Sequence, residues 1–129
     1  MLSDINFYDG NLRSVWHCII KYDKLQTDSL KESIKKWESI ICGNEVDKGR
    51  TNCALCITFP LCIGCPVTYY TKEYDCDGTP YTKDWMPVVQ KQIMDFRVID
   101  ITTRNAAQKE LNFLNMLLKK TILFRKLEL

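Results

Sequence analysis

Five of the seven cysteines in this chain fall in one stretch, at Cys53, Cys56, Cys62, Cys65 and Cys76. Thiols gathered so densely form disulfides, do redox chemistry or bind metal. The total is odd, and Met1-Leu2-Ser3-Asp4 lacks the basic-then-apolar pattern of an export signal. The expected compartment is therefore a reducing cytoplasm, where stable disulfides are rare. Metal ligation is the chemistry these residue types point to.

Cys53-Ala54-Leu55-Cys56 and Cys62-Ile63-Gly64-Cys65 are two Cys-x-x-Cys pairs with five residues between them. Two residues between thiolates let the backbone turn so that both sulfurs face one ion, and four thiolates at about 2.3 Å make the usual structural zinc site. Gly64 suits such a turn because it adopts positive φ without a Cβ clash. Pro66 is expected to stop any helix from starting there. Cys76 lies in Asp75-Cys76-Asp77-Gly78, a turn-forming stretch that can fold back onto the first pair. One structural zinc held by four of these five thiols is the expected centre, with Cys76 competing with a member of the second pair. The gap between the pairs is shorter than in zinc ribbons and fits neither familiar ferredoxin spacing, although Cys65-Pro66 leaves an iron–sulfur or redox protein as an alternative. Cys18 and Cys42, each beside isoleucines, read as buried free thiols.

The remaining residues argue against an enzyme. His17, the one histidine, is followed by Cys18-Ile19, so the His-x-Glu of the zinc nucleobase deaminases is missing. There is no phosphate-binding glycine loop, Gly-x-Ser-x-Gly elbow or His-Glu-x-x-His helix. Asp75, Asp77 and Asp84 read as turn acceptors rather than cation ligands. An all-cysteine shell also leaves no open position for a reacting water.

The elements that must position the thiols are helical. Up to residue 25 the pattern is irregular, with one short element expected near 12–22. Ser29 and Glu32 spell a capping box ahead of Leu30, Ile34, Trp37 and Ile41, which predicts an amphipathic helix over 30–42, ended by Gly43, with Lys31, Lys35, Lys36 and Glu38 on its wet side. Residues 43–52 read as an exposed loop, and 53–80 as too turn-rich for long elements. Ile57, Phe59, Leu61, Val67, Tyr69 and Tyr70 are expected to cover the metal. From Trp85 onward a helical hairpin is predicted. Its first helix starts at Pro87 with Val89, Ile93 and Phe96 or Arg97 on one face. Its second begins near Thr103 with Ala107, Leu111, Leu114, Leu117, Leu118 and Leu123 as a core stripe.

The fold class expected is mainly α: a helical scaffold with a long C-terminal helix around an irregular, Cys-rich zinc knot at 52–85, all in a single domain over 1–129. At 129 residues, with 46% hydrophobic and 26% charged, the chain has room for one core. No apolar run approaches the roughly 20 residues that span a bilayer, so no membrane role is expected. The net charge of +2 excludes both an acidic DNA mimic and a strongly basic nucleic-acid binder. Lys119, Lys120, Arg125 and Lys126 read as a solvated helix end.

The segments Lys36-Trp37-Glu38, Val46-Asp47-Lys48-Gly49, Asn52-Cys53-Ala54-Leu55-Cys56, Cys62-Ile63-Gly64-Cys65-Pro66-Val67 and Cys76-Asp77-Gly78-Thr79-Pro80-Tyr81, with Trp85, together resemble a group of small cysteine-rich phage and prophage proteins. Proteins similar to these include zinc-containing anti-CRISPR inhibitors of type II effector nucleases. The resemblance implies a non-enzymatic inhibitor that binds a CRISPR effector nuclease directly. A charge of +2 makes that contact protein–protein rather than imitation of a nucleic-acid backbone. Phe59, Tyr69, Tyr70, Tyr74, Tyr81 and Trp85 are the candidate contact residues, because aromatic anchors dominate interface energetics. The competing reading is a small nucleic-acid-binding zinc module.

Overall fold

The computed structural model describes residues 12–92 and 96–128, and side chains over 24–92 and 96–123. The protein is mainly α. Two long helices, α1 (Leu12–Ile41) and α5 (Ile101–Glu128), pack on each other, and three short ones lie between them in sequence: α2 (Ala54–Thr58), α3 (Pro66–Thr71) and α4 (Met86–Val89). Among the described residues there is no strand, only an isolated antiparallel bridge between Asp47 and Phe96.

The helix predicted over 30–42 is the second half of α1, and Ser29 does not cap it. Neither Gly nor Pro interrupts Leu12–Ile41, so nothing stops the helix before Gly43. Ser29 sits inside it, and its hydroxyl donates back to the Leu25 carbonyl at 2.7 Å. The C-terminal stop is as expected. Gly43 takes φ 79°, its N–H donates to the Ile40 carbonyl, and the Asn44 N–H donates to that of Ser39. This pair of bonds is the Schellman closure, which satisfies carbonyls the helix would otherwise leave open.

The core forms where α1 and α5 meet. Leu30, Ile34, Trp37 and Ile40 face Ala106, Ala107, Leu114 and Leu117, and Leu55, Phe59, Val67, Trp85 and Val89 close the remaining side. Trp37 meets Trp85 edge-to-face with ring centroids 5.1 Å apart. On α5 the predicted stripe holds through Leu117, with Leu111 and Leu118 partly buried, but Leu123 is 59% exposed because the helix outruns its partners there.

The predicted hairpin differs in its first arm. Tyr81–Trp85 form a π-helical turn that runs directly into α4, so the helical stretch begins before Pro87, which lies in the first turn of α4, and it stops at Val89. Gln92 then turns its amide on Arg97, donating to its carbonyl and accepting from its N–H, while Phe96 bridges to Asp47. These partners draw the backbone out of the helix, so Phe96 and Arg97 do not continue a face with Val89. Ile93 lies outside the described residues. α5 starts two residues before Thr103, where the Asp100 carboxylate accepts from the Thr103 N–H at 2.8 Å and caps the first turn.

Candidate metal centre

Each cysteine of the cluster is set by a short turn. Cys53 is the N-cap of α2, and its sulfur accepts the Cys56 backbone N–H at 3.4 Å. The chain then doubles back through a 3-10 turn over Pro60–Cys62, with Leu61 and Cys62 both at positive φ. Gly64 at φ 90° completes the reversal, and its carbonyl accepts the buried Gln26 amide of α1 at 2.9 Å. Cys65 is the N-cap of α3. Pro66, expected to block a helix, is instead its first residue, because the missing N–H is one no helix uses in its first turn. Cys76 takes φ 62°, and its carbonyl accepts the hydroxyls of Thr79 and Thr82.

These turns bring Cys53, Cys56, Cys62, Cys65 and Cys76 around one cavity of about 200 Å³. Cys76 does fold back onto the first pair, and all five thiols are free. Among the described residues no group of three or more His, Cys, Asp or Glu side chains is arranged to hold an ion as it stands. The thiols are gathered without being closed on a common point. As a donor set they fit a soft cation: sulfur ligands in sufficient number, supplied by three separate turns.

The electrostatics bind the cluster together. Cys53 falls to about 6, chiefly because the Cys56 thiol donates to it, with backbone N–H groups and Lys36 helping against burial. Cys56 is raised by that same bond and by burial. Cys65 and Cys76 are pushed up by burial, Cys76 further by the nearby charge of Glu110. Glu110, on α5, is pushed up to about 8 by burial and by Cys53.

Several residues of this region escaped the sequence reading. Lys36, expected on the wet face, is buried, with its ammonium 2.8 Å from Asp47 Oδ1. Asp47 lies in the loop expected to be exposed, yet it is 1% exposed and also accepts the Trp85 indole N–H at 2.9 Å and the Gly49 N–H at 3.0 Å. Burial pushes the Tyr81 phenol up, and the nearby Asp47 charge adds to the shift. Ser33 and Glu110 line the cysteine cavity. A signal for both was present: Ser33 is one turn before buried Trp37, and Glu110 is one turn from both Ala106 and Leu114.

The candidate contact aromatics divide. Tyr69, Tyr70 and Tyr74 are exposed, whereas Phe59 and Trp85 are buried in the core and Tyr81 is half-buried against it. Lys72 stands over the Tyr69 ring at 4.3 Å and Lys120 over Tyr70 at 5.6 Å. Of the expected metal cover, Phe59 and Val67 turn inward, but Ile57 and Leu61 point outward beside a groove bordered by Pro60, Tyr74 and the Arg50–Asp75 ion pair. Cys42 is exposed, not buried, since α1 has already ended beside it. The side chains of His17, Cys18, Arg125 and Lys126 lie outside the described ones. No helix of the described residues is long and apolar enough to cross a membrane. In comparisons with known proteins, the chain matches no family model, no curated protein and no solved structure.

Proposed function

We propose that this is a non-enzymatic zinc protein that acts by binding another protein. Following the resemblance of its cysteine and Gly-Thr-Pro-Tyr segments, the proposed target is a CRISPR effector nuclease of type II, which it inhibits. The observation that carries the metal reading is the convergence of five free thiols, from three separate turns, on one cavity. A bound zinc ion supplies a structural crosslink, which a region made of single-turn helices needs because it has little core of its own. Tyr69, Tyr70 and Tyr74 supply the exposed aromatic surface for the partner.

The test is metal analysis of purified protein, followed by a cleavage assay of candidate effector nucleases with and without it at rising salt. Inhibition that persists at high salt supports a protein contact, while binding to nucleic acid that collapses with salt favours the nucleic-acid module. One observation favours a second reading. A water-sized occupant needs only about 10–15 Å³, so a cavity of about 200 Å³ also has room for an iron–sulfur cluster, which Cys65-Pro66 permits. Iron and visible colour in the purified protein distinguish that case.

A further inference from the structure

Among the described residues, the buried side-chain polar atoms without a hydrogen-bond partner are Ser33 Oγ and Glu110 Oε1. Both residues line the cysteine cavity, one from each long helix. Glu110 is 6% exposed, and its Oε1 has no hydrogen-bond partner. A carboxylate in such a place is costly unless a cation or a donor answers it. The nearest buried cation does not, since the Lys36 ammonium is committed to Asp47 at 2.8 Å. Two orphaned atoms facing one thiol-lined space point to an occupant that accepts an oxygen donor as well as sulfur.

We infer that Glu110 is itself a ligand of the metal, with Oε1 completing a shell of three thiolates and one carboxylate oxygen. This deepens the zinc reading and rests on it. It assigns α5 a direct part in the centre, so that the ion ties the long C-terminal helix to the cysteine turns instead of crosslinking those turns alone. Zinc accepts carboxylate oxygen at about 2.0–2.2 Å beside sulfur at about 2.3 Å. All five cysteines line the cavity together with Glu110, and of them Cys56 and Cys62 also border the outer groove, whereas Cys53, Cys65 and Cys76 do not.

X-ray absorption at the zinc edge of the full chain tests this, with Glu110→Met and Glu110→Gln alongside and zinc affinity measured by chelator competition. The wild type is expected to show about three sulfurs and one oxygen, and Glu110→Met to bind zinc more weakly, with water or another thiol in the vacated position. Glu110→Gln, which keeps the shape, is expected to weaken zinc binding by more than the roughly 10- to 100-fold cost of losing an outer-shell partner. An all-sulfur shell in the wild type overturns the inference without any variant having to fold. So does equal affinity in Glu110→Gln, and in either case the zinc reading stands. A wild type that binds no zinc, or that carries iron, overturns the zinc reading itself.

Discussion

Single residues in this protein hold conformations and charges that pay off only through the elements around them. Gly64 is the clearest backbone case. It turns the second cysteine pair at φ 90° and hands its carbonyl to Gln26. A Cβ at that φ costs about 1–2 kcal/mol, so Gly64→Ala is expected to lower stability by that amount in urea denaturation, and an unchanged midpoint would show that the turn is not held as described. Asp47 is the clearest charged case, since one carboxylate receives Lys36, Trp85 and the Gly49 N–H. Asp47→Ala strands a buried ammonium and an indole N–H, and removing one member of a buried pair typically costs about 3–5 kcal/mol. Replacing the exposed Glu38 by Gln is expected to change stability by less than about 0.5 kcal/mol. Equal effects at the two positions would contradict the assigned network.

At the scale of elements, α1 and α5 form the frame and the short helices hang from it. The packing predicts a contrast within a single stripe. Leu114 is 1% exposed and Leu123 is 59% exposed, so Leu114→Ala is expected to cost about 2–5 kcal/mol and Leu123→Ala to stay within about 0.5 kcal/mol. Thermal or urea unfolding of the two variants checks it, and a large loss at Leu123 would mean that α5 has a partner near its end. The sequence carried this scale unevenly. The apolar period of α5 and the Gly43 stop of α1 were legible because each is local: a repeat of side chains and a residue that tolerates positive φ. The start of α1 was not legible, since residues before Ser29 lack a clean apolar period and their helicity follows only from the absence of a breaker. The end of α4 depends on Gln92 meeting Arg97 and on Phe96 meeting Asp47, and the second of these contacts crosses the fold. The site divides in the same way. The cysteines announced themselves by type and spacing, while Lys36, Asp47, Ser33 and Glu110 became part of it only when distant elements met around the cavity.

On the whole molecule, the proposed function gives the inside and outside of the cysteine region different tasks. Its inner face carries the thiols, and its outer face carries Tyr69, Tyr70 and Tyr74. On that reading, replacing the three tyrosines by Ala is expected to abolish partner binding while leaving metal content nearly unchanged, with a modest loss of stability from the Tyr70–Phe113 ring contact. Binding that survives the triple variant would move the contact to another face. The central claim is that the cavity holds a thiolate-bound metal, and the most direct test is elemental analysis of freshly purified full chain, with reactive thiols and far-UV circular dichroism followed before and after chelation. The account predicts about one zinc ion per chain, thiols that become reactive when it is removed, and loss of helicity as the cysteine turns come apart. A metal-free protein with a full complement of reactive thiols and unchanged helicity on adding chelator would contradict it.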